Sequence, residues 1–227
     1  MLKVKGKFVM RKRLLCVVSS VKILSNGMEI LSKLFGSADR VKVMRLFVLN
    51  SNTSFTLKEV LERSKISQMS GKRELSILKE VGLVRQKTLR TNDSRGRRIT
   101  TAGWSLNQPF PFLNSLKQLL FNAELFKKEE IVRRLRSTGR IKIIITAGIF
   151  INDEDSRADL LVVGDELHKN AIDKVVKSME AEIGRELSYG VFETEDFRYR
   201  VSICDKFVRD VLDYPHRKIL NKLEDAF

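Results

Sequence analysis

The most constraining feature of this sequence is the stretch from residue 56 to residue 98. Its apolar spacing predicts a short helix over 57–64, a tight turn, and a second helix over 68–81. Gly82 then suits the left-handed residue that ends a helix, and residues 83–101 alternate as the two strands of a β-hairpin. Two short helices in succession, each with a defined start and end, leave few other arrangements for this region. A further helix, over 39–50 with Ser37 as its N-cap, is predicted before them.

The two predicted helices carry their own start signals. Thr56 and Ser67 stand at N-cap positions, where a side-chain oxygen accepts from backbone N–H groups of the first turn. Glu59 completes a capping box with Thr56. Gly71 stands where an apolar packing residue is expected, and glycine weakens a helix by about 1 kcal/mol relative to alanine. Either the first helix crosses the second unusually closely there, or the second helix is locally strained.

The second helix has two unlike faces. Leu75, Leu78 and Val81 recur at the spacing of one buried face. The opposite face offers amide, cationic and hydroxyl groups, which can meet the base edges or phosphates of DNA. From this face we predict DNA contacts by Ser67, Gln68, Met69, Lys72, Arg73 and Ser76.

A cluster of arginines crowds the tip of the predicted hairpin, where Asn92, Asp93 and Gly96 form the turn. Cations grouped in this way typically contact phosphates or the minor groove. A solvated hairpin is the alternative for any single arginine, but it explains the whole cluster poorly. The arginines predicted to contact nucleic acid are Arg90, Arg95, Arg97 and Arg98.

The net charge of +15 is unevenly spread along the chain. Residues 28–107 carry 16 Lys or Arg against 7 Asp or Glu, whereas residues 141–227 carry 13 against 18. A basic N-terminal part joined to an acidic C-terminal part indicates a polyanion-binding module attached to a module with another role. Surface charge that merely keeps the chain in solution would not explain why the basic block coincides with the two-helix pattern.

The first 27 residues carry seven Lys or Arg and no acidic residue. A signal-like leader is disfavoured by the short apolar patch and by Lys22. A basic arm that touches nucleic acid, a disordered extension, and a true start at Met28 stay open, and we favour the last two. Two distant cysteines and two histidines give no metal spacing. We therefore expect no metal, no cofactor and a reducing, cytoplasmic setting. No apolar run reaches the length of a membrane span.

From residue 36 to residue 107 the sequence resembles ArsR/MarR-type winged helices. The segment 99–120 is similar to the wing exit of bacterial and archaeal regulators that fuse a winged helix to a nucleotidyltransferase-like domain. The residues that carry this second likeness are Ser105, Leu106, Asn107, Pro109, Phe112 and Leu116. The resemblance extends over residues 29–225.

The resemblance implies an α+β protein in three parts after the basic extension 1–27. These are a winged helix-turn-helix domain over 28–107, a connecting helix within 108–140, and a nucleotidyltransferase-like α/β domain over 141–227. The residues themselves also predict alternating strands and helices in the last part. The predicted strands are 141–147, 158–164 and 186–192, and the predicted helices are 167–183, 194–200, 204–212 and a final one that ends at Glu224.

The last part resembles small nucleotidyltransferase domains of the polymerase-β superfamily. Their signature is a Gly-Ser turn after the first strand and two carboxylates on the second strand that hold Mg²⁺. Here Gly148 lacks the following serine, Ser156 matches, Arg157 replaces the first carboxylate, and Asp159 matches the second. Because a cation repels Mg²⁺, the resemblance implies a pseudoenzyme. Two residues apart on one strand face, Arg157 and Asp159 are expected to form an ion pair.

We therefore expect a homodimeric transcription regulator that binds double-stranded DNA, not an enzyme. Its silent C-terminal domain would serve dimerisation, sensing or a protein partner. Two alternatives stay open. One is a divergent nucleotidyltransferase acting on a protein or RNA, with Glu186 supplying the missing carboxylate; the other is an antitoxin-like protein-binding module. The acidic loop 153–155 is interpreted as surface charge, with cation binding as its alternative.

Overall fold

The computed structural model describes residues 27–92, 96–121, 125–153 and 156–223. Within these ranges the chain is a mixed α+β protein with two β-sheets, which confirms the predicted class. The basic residues 1–26 lie outside the described residues, and so does Arg95 of the predicted arginine cluster. No helix in the described ranges combines the length and the apolar character needed to cross a membrane.

The first half of the chain has the predicted helices and hairpin, with one additional helix, α1, at its start. Its elements in order are α1 (Gly27–Phe35), α2 (Ala38–Leu49), β1 (Ser54–Thr56), α3 (Leu57–Ser64), α4 (Gln68–Glu80), β2 (Val84–Asn92) and β3 (Arg98–Leu106). The three strands form an antiparallel sheet in the order β1-β3-β2.

The predicted caps account for the sharp helix boundaries in this half. Thr56 and Glu59 form both hydrogen bonds of the capping box at the start of α3, and the Ser67 hydroxyl accepts from the backbone N–H of Ser70. Gly82 adopts φ +84° after α4, as the left-handed position requires. These local signals are satisfied within a few residues, which is why the sequence predicts them well.

One apolar core joins the helices of the first half to its sheet. Phe47 of α2 and Phe55 of β1 meet edge to face with their ring centroids 5.7 Å apart. Val84 and Leu106, paired at the base of the hairpin, are buried in the same core. The face of the sheet that covers the core continues along the hairpin beyond the core. The pairing register of β2 and β3 therefore determines which hairpin side chains lie beside α4.

The connecting segment is two helices, α5 (Leu113–Phe121) and α6 (Lys128–Leu135), which makes the prediction of one connecting helix wrong. Leu125 and Phe126, which lie between α5 and α6 in the sequence, are both buried. Lys127 has an extended backbone immediately before α6.

The second half is built on a four-stranded sheet in the order β6-β5-β4-β7. Its strands are β4 (Arg140–Thr146), β5 (Leu160–Asp165), β6 (Tyr189–Glu193) and β7 (Arg217–Asn221). The remaining elements are a single 3-10 turn after β4 (Gly148–Ile151) and the helices α7 (Lys169–Ile183), α8 (Thr194–Ser202) and α9 (Lys206–Leu212). Helix α7 connects the parallel strands β5 and β6, and apolar clusters cover both faces of the sheet.

The predicted last helix is wrong, because the residues after Pro215 form the edge strand β7. This strand pairs antiparallel with β4, opposite Thr146 at one end and Ile143 at the other. The open edge of β4 supplies backbone hydrogen-bond partners that residues 217–221 lack within their own segment. Tertiary pairing therefore determined this element, since the five residues of β7 are too few for a clear period of their own.

The two halves meet at a buried junction between α2 and the C-terminal end of α7. The Arg45 guanidinium donates to the carbonyl oxygens of Glu182 and Leu120, both at 2.9 Å. These carbonyls lie in the last turns of α7 and α5, where a cation is favourable. Burial lowers the pKa of Arg45 to about 10, against the opposing influence of Glu182. Arg45 thus holds the end of α7 from the second half and the end of the connecting helix α5 against α2.

Candidate nucleic-acid interface

Helix α4 lies against α3 at Gly71. A β-carbon at Gly71 would overlap the side chain of Leu61, and the backbone N–H of Gly71 still donates to the Ser67 carbonyl at 2.9 Å. Of the two explanations offered by the sequence, a close crossing is therefore correct. The glycine allows the two helices of this unit to approach each other without distorting α4.

Two polar contacts, which sequence reasoning missed, hold α4 against α2. The carboxylate of Glu74, only 2% exposed, accepts from Arg40 Nε at 2.7 Å. Ser70 donates its hydroxyl to Asp39 Oδ2 at 2.5 Å. A charged residue at a helix position next to Leu75 is the one sequence signal that could have revealed the first contact. The two contacts orient α4 around its own axis and so determine which side chains face outward.

The outward face of α4 is the face predicted to meet DNA. Gln68, Met69, Lys72, Arg73 and Ser76 are all exposed, with Met69 at 82%. Lys72 and Arg73 make no ion pair in the described part of the chain, so their charge is not neutralised by a neighbouring carboxylate.

Two members of the predicted α4 faces have other roles than expected. Ser67 is exposed, but its hydroxyl already serves as the N-cap acceptor of α4. Val81 was expected on the buried face with Leu75 and Leu78, yet it is 60% exposed. It follows the last residue of α4, where the chain leaves the helix and turns toward β2.

The hairpin places two of the predicted arginines on one face. Arg90 lies opposite Thr100 and Arg98 lies opposite Asn92, so Arg90 and Arg98 are close diagonal neighbours across the strands. They share the face whose base carries the buried Val84. Both are exposed and make no ion pair among the described residues. Arg97 is also exposed, but it interacts with another residue of the chain.

An open groove of about 700 Å³ separates the last turn of α4 from the hairpin. Lys79 of α4 donates to Gln86 of β2 at 3.0 Å across it. Arg85 and Lys87 on β2 also line the groove and are exposed. These three cations were not predicted as site residues, although the alternation of β2 could have revealed Arg85 and Lys87. Lys79 extends the positive surface of α4 toward the hairpin, whereas Arg85 and Lys87 lie on the face of β2 opposite Arg90 and Arg98.

In the second half, Asp159 has a structural environment. It is 3% exposed, and it immediately precedes β5. Its carboxylate accepts from the backbone N–H of Ile149 at 3.0 Å, from that of Ser188 at 2.9 Å, and from Arg185 at 3.0 Å. A β-carbon at Gly148, where φ is +52°, would overlap this carboxylate. Asp159 therefore ties the turn after β4 to the segment before β6.

Arg157 does not pair with Asp159, so the predicted ion pair is wrong. Both residues precede β5 instead of sharing a strand face. The Arg157 side chain is 60% exposed and lies 3.6 Å from Asp210 of α9. Ser156 donates its hydroxyl to the Ala158 carbonyl at 2.7 Å. Of the four residues compared with a nucleotidyltransferase motif, Gly148 thus begins the 3-10 turn after β4, and the other three lie in the segment before β5.

Glu186 does not complete a pair of carboxylates with Asp159. It lies outside β6, with its side chain 77% exposed, and it pairs with Arg63 of α3 at 3.1 Å. Across the described ranges, no group of three or more His, Cys, Asp or Glu side chains is arranged to hold a metal ion. Asp153 has an interaction partner within the chain, while residues 154 and 155 of the acidic loop lie outside the described residues.

Comparison with protein-family models, with curated proteins and with solved structures finds no match to this chain.

Proposed function

We propose that this protein is a duplex-DNA-binding transcription regulator whose first half is a winged helix-turn-helix. The observation that carries the proposal is the outward face of α4, where amide and cationic side chains are exposed together and the cations have no ionic partner among the described residues. The order of elements from α2 to β3 and the sheet order β1-β3-β2 support a winged arrangement, in which β2 and β3 are the wing.

In this proposal α4 enters the major groove. Gln68 and Arg73 carry groups that suit base edges, and Lys72 is a point charge that suits a phosphate. Arg90 and Arg98 would meet the neighbouring backbone or minor groove from the hairpin. The nine residues of β2 span about 30 Å at 3.3 Å per residue, which gives the wing the reach for this second contact.

The second half is, in the same proposal, catalytically silent. The three donors around Asp159 occupy the directions from which a metal ion would be bound, and the ion pair of Glu186 with Arg63 holds the alternative carboxylate elsewhere. The test is incubation with ATP, CTP, GTP or UTP labelled in the nucleotidyl group, in the presence of Mg²⁺ or Mn²⁺. Transfer of that group to protein or RNA, with release of pyrophosphate, would contradict this part of the proposal and favour a divergent nucleotidyltransferase.

Homodimerisation is proposed from the exposed apolar side chains of the first half. Ile30 and Leu34 of α1 are 53% and 63% exposed, and Leu119 of α5 is 46% exposed. A two-fold dimer would place two copies of α4 on successive half-sites of a palindrome. Light scattering of the full chain, with Leu34→Glu as the variant expected to be monomeric, tests this part separately from DNA binding.

Selection of binding sites from random duplex oligonucleotides tests the central proposal. We expect a defined motif, bound with an affinity that falls steeply between ~50 and ~200 mM salt, because each phosphate contact contributes about −0.9 to the slope of log K against log salt. Replacing Lys72 and Arg73 by alanine should weaken binding at least tenfold and reduce the magnitude of that slope by about 1 to 2.

The matched control is Lys174→Ala, which removes an exposed cation from α7, in the other half of the chain. It should leave both affinity and salt slope unchanged. Affinity independent of salt, or equal losses in the control and in the α4 variant, would show that the outward face of α4 is not the DNA-binding surface.

A further inference from the structure

A groove runs between helix α6 and the edge strand β7, and we call it the α6–β7 groove. It consists of two cavities of about 420 and 570 Å³. Ile131 on α6 and Ile219 on β7 line the first cavity, while their chain neighbours Val132 and Leu220 line the second. The first cavity lies beside the starts of α6 and β7, and the second lies beside their ends.

The α6–β7 groove is positively charged, although the C-terminal part of the sequence that forms most of it is acidic overall. Residues 141–227 have more acidic than basic residues, yet no acidic side chain is among the described residues that line either cavity. The lining cations are Lys128, Arg136, Arg140, Lys142, Arg217, Lys218 and Lys222.

Three of these cations, Lys128, Arg136 and Lys222, make no ion pair in the described part of the chain. Arg140 and Lys142 pair with Glu166 and Asp165 outside the groove, both at 2.7 Å. The groove therefore presents positive charge that is available to a partner at both ends of α6.

The floor of the groove is aliphatic. Val132 and Leu220 are half-buried, above the fully buried Ile144. Aliphatic side chains of a partner would gain from burial on such a floor. The bases of single-stranded nucleic acid instead favour exposed aromatic faces on which to stack. At one end of the groove Phe126 is only 3% exposed, and Phe150 is half-buried with its ring centroid 6.2 Å from that of Phe126. The floor therefore favours a polypeptide over a nucleic acid.

Strand β7 offers the backbone for such a partner. Among the described strands it pairs only with β4, and it ends the sheet, so its second edge can accept an added strand. A second copy of this chain is a poor occupant, because residues 216–222 contain three Lys or Arg and no acid. Two β7 strands would then place like charges beside each other. The occupant should carry acidic residues.

We propose that the α6–β7 groove binds an acidic segment of another protein, which adds to β7 as an extended strand. The side chains that this strand directs toward α6, two positions apart in its sequence, include carboxylates that contact Arg136, Lys222 and Lys128 and aliphatic groups that lie on Val132 and Leu220. This site is separate from the outward face of α4, so DNA and the acidic segment can bind independently.

Display of random 12-residue peptides against the full chain tests the proposal. We expect enrichment of peptides in which Asp or Glu and Val, Ile or Leu occur at alternate positions, two residues apart, so that both kinds of side chain share one face of the strand. A synthetic enriched peptide should bind roughly tenfold more weakly to Arg136→Glu/Lys222→Glu, because two rim charges are reversed. Lys174→Glu, a charge reversal on exposed α7, should bind it normally. N-methylation of alternate peptide amides should abolish binding if the peptide forms a strand, whereas charge attraction alone would survive it.

Several results would overturn the proposal. One is selection that yields no acidic alternating peptides, which would indicate that the lysines and arginines only guard the edge against aggregation. Another is equal binding to the charge-reversed and control variants. Tight binding of an oligothymidylate of about 20 nucleotides at the groove, without any peptide binding, would assign the site to single-stranded nucleic acid. Duplex binding by the α4 face, measured on the same variants, reports separately on the proposed function.

Discussion

Gly184 lies against the backbone of Arg45 so closely that a β-carbon on residue 184 would be 2.6 Å from the Arg45 carbonyl carbon. Gly184 ends α7 with φ +94°, and its carbonyl accepts from Asn50 at 2.8 Å. A single glycine thus meets two requirements, a left-handed helix end and a backbone-to-backbone approach between the two halves of the chain.

We expect Gly184→Ala to destabilise the protein by about 2–4 kcal/mol. About 1 kcal/mol comes from the left-handed backbone, and a further 1–3 kcal/mol comes from overpacking against α2. Gly82→Ala is the matched control, because Gly82 has φ +84° and no atom near its missing β-carbon. In urea unfolding, Gly82→Ala should lose only the contribution of about 1 kcal/mol from the left-handed backbone. Equal losses in both variants would show that the contact with Arg45 does not restrict residue 184.

The crossing of α3 and α4 predicts a coupling between Gly71 and Leu61. Gly71→Ala gains about 1 kcal/mol of helix propensity but loses about 1–3 kcal/mol through overlap with Leu61, so we expect a small net destabilisation. Leu61→Ala removes the overlapping atoms. A double-mutant cycle from thermal or urea unfolding should therefore show that the double variant is more stable than the sum of the single effects by at least 1 kcal/mol. Strict additivity would contradict the close crossing.

The environment of Asp159 predicts a loss of stability on substitution. Asp159→Ala removes a buried carboxylate that accepts from the backbone N–H groups of Ile149 and Ser188, and it should cost about 2–4 kcal/mol. Arg157→Ala removes an exposed side chain in a loose ion pair and should change stability by less than about 0.5 kcal/mol.

The same environment predicts that Arg157→Asp does not create a Mg²⁺ site, because the Asp159 carboxylate is already bound by three donors. Isothermal titration with Mg²⁺ and Mn²⁺ checks this, with the wild-type chain as reference. Saturable binding by the variant alone would instead indicate a decayed metal site that one substitution restores.

Asp165 predicts a defined response to acid. Hydrogen bonds from Lys142 and then Thr194 lower the pKa of the Asp165 carboxyl. Its contribution to stability is thus complete above the unfolded-state pKa of about 3.9 and is lost as the pH falls through the lower folded-state pKa. Asp165→Asn should flatten the acid dependence of the urea midpoint below about pH 4. Glu195→Gln, an exposed control on α8, should not; if both variants behave alike, the contact with Lys142 contributes nothing to this dependence.

Residues 56–82 show what could be predicted from sequence. Caps, a capping box and a helix-ending glycine act over three or four residues, so Thr56, Ser67 and Gly82 locate α3 and α4 without knowledge of the rest of the chain. The outward face of α4 follows from the same period. Its orienting contacts do not, because Arg40 and Glu74 are 34 residues apart and no local pattern pairs them.

The later errors have the same origin. Residues 217–221 form a strand because β4 has an open edge with which they pair. The spacing of Arg157 and Asp159 matched a strand pair, but β5 begins one residue after Asp159. In each case a distant neighbour supplied the hydrogen bonds or the burial that determined the local conformation.

By itself, the sequence determined the two capped helices, the basic hairpin, the α+β class and the separation of basic from acidic halves, because these depend on short-range hydrogen bonds, periodicity and charge. Only the tertiary structure decided how α4 is oriented, that Asp159 holds a turn together, that Arg45 and Gly184 join the two halves, and that cations from α6, β4 and β7 line one groove. These properties depend on contacts between residues far apart in the chain, and such contacts form only when the whole chain is packed.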